Sequence, residues 1–147
     1  MTRNARKSLL LFVALGCGPS AVGIANPAGL PVVVIETTLG AITAEIDSVH
    51  APISAANFLK YVDAGAYDGG RFHRTVTPAN QPSDPVKIEV IQGGANSSTD
   101  RLTLPAIELE RTNKTGLKHQ DGTLSMARAG PNTATSDFFI CIGPQPE

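Results

Sequence analysis

The sequence predicts a mainly β domain, with short antiparallel strands forming a barrel or sandwich and one helix packed against them. Three observations carry this. Short β-branched or alternating apolar runs recur from Val32 to Ile142, separated by Gly- and Pro-rich turns. Only Pro52–Ala64 shows clear helical spacing. Finally, 147 residues with 41% hydrophobic and 5% aromatic side chains suit one domain with an ordinary core. Charge is near balance, 12 Lys+Arg against 13 Asp+Glu, so no basic field recruits nucleic acid and no acidic tail is present. Gly (14) and Pro (11) are too few for a collagen-like or low-complexity chain.

Residues 1–25 read as an export signal of bacterial type, ahead of the domain. Arg3, Arg6 and Lys7 form a positive start, Ser8–Gly16 is a short apolar run, and Gly23 and Ala25 stand at signal-peptidase spacing. The run is shorter than the roughly 20 residues that span a bilayer. Ala14-Leu15-Gly16-Cys17 is an imperfect lipobox, so lipidation at Cys17 is the alternative to cleavage after Ala25, and the one route to a membrane. The expected location is periplasmic or secreted. Removing residues 1–25 takes away three positive charges, which moves the net charge from −1 to −4. It leaves one cysteine, Cys141, which cannot form an internal disulfide and reads as a buried structural thiol.

Residues 26–30 form a linker, and the domain starts at Pro31. Val32–Thr38 and Ala41–Ile46 form a hairpin about Leu39-Gly40. In the helix, Pro52 suits the first turn, Ile53, Ala56, Phe58, Leu59 and Val62 supply a core-facing stripe, and Gly65 stops it. After the Asp68-Gly69-Gly70 turn, Arg71–Val76 is a third strand. Residues 77–86 hold three prolines without apolar periodicity and form a loop. Lys87–Gln92 is a fourth strand ended by Gly93-Gly94. Ala95–Gly122 is polar, with a short strand or turn near Ile107. Thr123–Arg128 and Asp137–Ile142 complete six strands.

Several chemistries lack their signatures. His50, His73 and His119 show no metal-ligand spacing, and no cysteine pair accompanies them. There is no GxSxG elbow, no GxGxxG fingerprint and no Walker loop. The sequons at Asn96 and Asn113 mark exposed loops at most.

What stands out is an ordered set. Tyr67-Asp68-Gly69 leads into Phe72-His73-Arg74, and Gln92-Gly93-Gly94 ends the next strand. Then Leu124-Ser125-Met126-Ala127-Arg128-Ala129-Gly130-Pro131-Asn132-Thr133 leads into Ser136-Asp137-Phe138-Phe139-Ile140. This set resembles the cyclophilin-type peptidyl-prolyl cis-trans isomerases, over residues 31–147. The resemblance implies a cyclophilin-like antiparallel β-barrel with a capping helix. It also implies acceleration of rotation about X–Pro bonds in unfolded or flexible polypeptides, with no cofactor or metal, and binding of the family's cyclic-peptide inhibitors. By resemblance Arg74 is the catalytic arginine, Phe139 floors the proline pocket and Val90 is its apolar wall. Gln92 matches the glutamine that hydrogen-bonds substrate backbone, and Ala127, Arg128 and Ala129 line the peptide groove. Strand alternation puts Phe72 on Arg74's face, so it joins the substrate-binding set.

Departures from the family pattern set further expectations. The loop at 77–86 is an insertion, and Glu89 stands where a pocket phenylalanine is usual unless a register shift brings Ile88 there. Arg128 replaces a common asparagine. Asp137 replaces a common glutamine, and its carboxylate is expected to pair with Arg74. Glu147 falls near the family's pocket tryptophan, and the elements that follow it in the family are missing. The barrel is therefore expected to be incomplete at its C-terminus, a fragment with open edges. The competing reading is a proline-peptide-binding module or holdase without useful catalysis. A purely structural β-domain would leave the ordered motifs unexplained.

Overall fold

The computed structural model describes residues 29–95 and 102–146. The expected leader, residues 1–25, lies outside the described residues. Two antiparallel sheets and one long helix make up the domain. β1 (Val32–Thr37) and β2 (Gly40–Glu45) form the hairpin, with Thr37 opposite Gly40. The Thr37 hydroxyl closes the turn, donating to the Gly40 carbonyl at 2.7 Å and accepting from Leu39 N–H at 3.1 Å. Gly40 has φ +131°, where a side chain would be strained. Alternation buries Val33 and Ile35 and leaves Val32 exposed.

Helix α1 spans Pro52–Asp63 with Pro52 in its first turn. Its buried residues are Ala55, Asn57, Phe58, Tyr61 and Val62, whereas Ile53 and Ala56 are exposed. The helix is therefore rotated from the expected stripe, because Tyr61 turns inward. Its ring lies 6.0 Å from Tyr67, and its hydroxyl accepts the Leu104 N–H at 3.0 Å. A tyrosine can be buried once its polar tip has a partner. Glu110 closes the start of the helix from 56 or 57 residues away, accepting the Ile53 and Ser54 N–H groups at 3.0 and 2.7 Å. These are donors that a helix leaves unsatisfied at its N-terminus.

The second sheet has the order β3-β4-β6-β5, all antiparallel, from β3 (Phe72–Val76), β4 (Val90–Gly93), β5 (Leu124–Met126) and β6 (Phe138–Cys141). Ile107 makes the expected short pairing, an isolated bridge to Ala134. A one-turn helix α2, Thr112–Thr115, was not foreshadowed, since four polar residues show no periodicity. Gly116 ends it at φ +74°, its N–H on the Thr112 carbonyl.

β4 starts at Val90, three residues later than the expected Lys87. The cause is Gln81, buried inside the inserted loop. Its side-chain amide donates to the Ile88 carbonyl at 2.7 Å and accepts the Ile88 N–H at 3.3 Å, taking the place of a strand neighbour. A second bond runs from the same amide to the Thr77 carbonyl, and Lys87 Nζ donates to the Gln81 carbonyl. The insertion is a closed loop, not a loose one.

Both sheets and α1 share one core: Val33 and Ile35 of the hairpin, Phe58, Tyr61 and Val62 of the helix, and Tyr67, Phe138 and Ile140. Among the described residues no backbone ladder joins the hairpin to the four-stranded sheet.

Candidate active site

A cleft of about 1160 Å³ is lined by one face of the four-stranded sheet and reaches past it to the core residues Phe58, Leu124, Met126 and Ile140. Residues two apart on a strand share a face, and the register then aligns them across strands. Arg74 lies opposite Gln92, Gln92 opposite Phe139, and Phe139 opposite Ser125. Val76, Val90 and Cys141 form a small buried cluster on the same face, with Ile88 and Phe139 packed against it. Arg74, Ile88, Val90, Gln92, Ser125 and Phe139 all line the cleft.

Phe72 lies elsewhere. β3 carries an irregularity between Phe72 and Arg74, so that Phe72 faces Gly93 while Arg74 faces Gln92. The extra residue, His73, breaks the alternation and moves Phe72 to the opposite face. There it packs edge-on against Phe138, with centroids 5.9 Å apart at 78°. Phe72 also lines a second cavity of about 580 Å³ with Gly93 and Gly94, not the cleft. Its place is thus in the core, which corrects the expectation drawn from strict alternation.

The polar groups of the cleft face are chained. The Arg74 guanidinium donates from Nη1 to Gln92 Oε1 at 3.2 Å, and Gln92 Nε2 donates to Asp137 Oδ2 at 3.1 Å. Asp137 does not pair with Arg74 as its charge suggested; Gln92 stands between them. His73 Nε2 approaches the same carboxylate oxygen at 3.6 Å. The Arg74 side chain makes no other hydrogen bond among the described residues, which leaves most of its five donors open.

The apolar part of the site rests on Phe139, half-buried on Val76, Val90 and Cys141. Burial, with a smaller contribution from Asp121, raises the Cys141 pKa. The thiol therefore packs as an apolar group behind Val90. Ile88, held by Gln81, completes the wall, whereas the Glu89 side chain stays out of the cleft. Glu89 is turned away by its backbone, which accepts Ile142 N–H at 2.9 Å and donates to Gln145 Oε1 at 2.6 Å.

Ala127 and Arg128 line the cleft beyond β5; Ala129 does not. The Ala127 N–H donates to the Asp137 carbonyl at 2.8 Å. The turn beyond is fixed by Thr133 Oγ1, which accepts the Ala129 and Gly130 N–H groups at 3.1 and 2.9 Å. Arg128 is exposed at the rim.

His119 was missed by sequence reasoning. Its ring stacks over Phe139, centroids 5.6 Å apart at 32°, and Nε2 lies 3.2 Å from Ser125 Oγ. Nothing in its local spacing marks it, because the contact is made across the fold from a loop. Among the described residues no group of three or more His, Cys, Asp or Glu side chains could hold a metal ion.

The arrangement joins a cationic donor to an apolar floor. It suits a reaction in which charge shifts within a bound group.

Comparison with known proteins identifies the family. The family model described as "Cyclophilin type peptidyl-prolyl cis-trans isomerase/CLD" matches residues 32–147. A peptidyl-prolyl cis-trans isomerase-like 1 protein of Neurospora crassa is 40% identical over 117 residues, covering 78% of this chain and 66% of its own length. A peptidyl-prolyl cis-trans isomerase of Arabidopsis thaliana is 39% identical over 126 residues, 83% of this chain and 71% of that protein. Peptidyl-prolyl cis-trans isomerase A of Dickeya dadantii is 37% identical over 113 residues, 75% of this chain and 53% of that protein. The chain thus spans from about half to about 70% of the length of these relatives. Among solved structures, a Cryptosporidium parvum cyclophilin-type isomerase crystallised in the presence of the dipeptide Ala-Pro superposes with a TM-score of 0.62. It is 29% identical, and the match covers 78% of this chain and 70% of that one.

Proposed function

The chain belongs to the cyclophilin-type peptidyl-prolyl cis-trans isomerases, and from that premise we propose that it accelerates rotation about X–Pro bonds in flexible polypeptides, with Arg74 as the catalytic donor. The observation that carries this is the meeting of Arg74, Gln92 and Phe139 on one face of one cleft.

An amide resists rotation by about 18–20 kcal/mol because resonance gives its C–N bond double-bond character. An X–Pro bond therefore isomerises unaided in roughly tens to hundreds of seconds. No covalent bond breaks, so no nucleophile or proton relay is needed. As the amide twists, conjugation is lost and the lone pair localises on the proline nitrogen. A fixed cationic donor beside that nitrogen stabilises the twisted amide more than either planar form, which is what lowers a barrier. A turnover of about 10³ per second requires lowering it by roughly 7 kcal/mol. In this reading Phe139, Val90 and Ile88 hold the proline ring while Arg74 reaches the twisted amide. The backbone of 127–128 runs alongside the peptide.

The test is catalysed exchange between the cis and trans forms of a short Ala-Pro peptide, followed by NMR without a coupling protease. Wild-type protein should accelerate exchange in proportion to its concentration. Arg74→Ala should lower kcat/KM by about a hundredfold or more, the usual cost of removing one preorganised donor. An unchanged rate in that variant would remove Arg74 from the mechanism.

We infer also that the chain is exported. The support is the positive start, the apolar run Ser8–Gly16 and the Gly23/Ala25 spacing. N-terminal sequencing of the mature protein should then begin at Asn26; a chain that retains Met1 and stays in the cytoplasm would oppose it.

A further inference from the structure

We propose that Asp137 is a positioning residue for Arg74, acting through Gln92 by fixing the direction of its side-chain amide. The proposal rests on the isomerase reading for its kinetic consequence, but its structural content stands apart from it.

The argument starts from the donors and acceptors of three side chains. A guanidinium only donates, an ionised carboxylate only accepts, and a primary amide does one at each end. Arg74, Gln92 and Asp137 stand in that order across β3, β4 and the residue that precedes β6. One orientation of the Gln92 amide satisfies both neighbours, with Oε1 toward Arg74 at 3.2 Å and Nε2 toward Asp137 at 3.1 Å. The flipped amide would set two acceptors together at Asp137 and two donors together at Arg74. A neutral amide at position 137 could present either end to Gln92, and only the selection imposed by Arg74 would remain.

Arg74 depends on this more than a buried residue would. Its side chain is exposed, and the bond to Gln92 is its only hydrogen bond among the described residues. A long cationic side chain with one anchor takes its geometry from that anchor. Asp137 is itself held. Its carbonyl accepts the Ala127 N–H at 2.8 Å, and a Cβ built on Gly94 would come within 2.0 Å of its Oδ1. Glycine at 94 therefore leaves the room that the carboxylate occupies. His73 lies 3.6 Å from Oδ2, outside hydrogen-bond range, so the bond from Gln92 is not displaced.

The experiment uses the full chain with four proteins: wild type, Asp137→Asn, Gln92→Ala and the double variant. Two readouts are taken, the saturation kinetics of Ala-Pro exchange and the side-chain ¹⁵N signals of Arg74 and Gln92 in the free protein. Asp137→Asn should lower kcat about tenfold with KM within about twofold. It should also broaden the Arg74 guanidinium signal. In the Gln92→Ala background the same substitution should change nothing further, because the connecting amide is gone. Full kcat and an unchanged Arg74 signal in Asp137→Asn would overturn the proposal. So would losses that multiply in the double variant, which would mean Asp137 acts without Gln92. Should Asp137→Asn fail to fold, the wild type decides alone: one slowly exchanging Gln92 NH₂ pair supports the proposal, and a freely flipping amide overturns it. If wild type fails to catalyse exchange, the isomerase reading falls, while the Arg74 and Gln92 signals still decide this one.

Discussion

The two faces of the β3-β4-β6-β5 sheet are made by the same strands with opposite chemistry, and Phe138 and Phe139 show the contrast. Phe138 is 3% exposed and meets Phe58, Tyr67 and Phe72 edge-on, with centroids 5.4–5.9 Å apart. Phe139, one residue later, is half-buried on three small side chains and carries the His119 ring above it. The inner face is thus aromatic and packed against the helix and hairpin, while the outer face carries polar side chains tied in a chain. The pleat of the sheet separates the aromatic packing from the face that lines the cleft. The bulge at His73 lets β3 serve both, sending Phe72 inward and Arg74 outward.

The largest effect should come from breaking the inner face. Phe138→Ala removes the hub of four aromatic rings and should cost about 3–5 kcal/mol in a urea melt. Its activity should fall only with the fraction folded. A smaller loss should follow on the outer face: Phe139→Ala should destabilise by about 1–3 kcal/mol, since the ring is only part-covered. It should also raise KM for an Ala-Pro peptide roughly tenfold, the scale of one apolar pocket contact. If the two variants melted alike, the division between faces would not hold. The smallest effect tests how the helix is fastened beneath the inner face. Glu110→Ala frees two N–H groups at the start of α1 and should cost about 1–2 kcal/mol, by the measure of lost helix caps. A melt identical to wild type would mean that water replaces the carboxylate without cost.

Much of the fold could be read along the chain. Short β-branched or alternating apolar runs bounded by turns located the six strands, and helical spacing with Pro52 and Gly65 located α1. The errors came where distant parts act on local pattern. Tyr61 turns the helix because Leu104 supplies a partner for its hydroxyl, and Gln81 delays the start of β4 by occupying the Ile88 backbone. In the site, Arg74, Val90, Gln92 and Phe139 were placed by motif and alternation. Phe72 was misplaced, since a single inserted residue on one strand is invisible without its partner strand. The pairing expected between Asp137 and Arg74 is not made, because the register interposes Gln92.

By itself the sequence determined the antiparallel β class, the helix, the family, and Arg74, Val90, Gln92 and Phe139 as neighbours on strands that line the cleft. These follow from short-range backbone preferences and from side-chain period, both encoded within a few neighbours. Only the tertiary structure decided that Phe72 is core, that Ile88 and not Glu89 lines the cleft, that His119 covers Phe139, and that Gln92 stands between Arg74 and Asp137. Each of these turns on strand register or on contacts through space, and in both cases the partner's position exists only once the chain has folded.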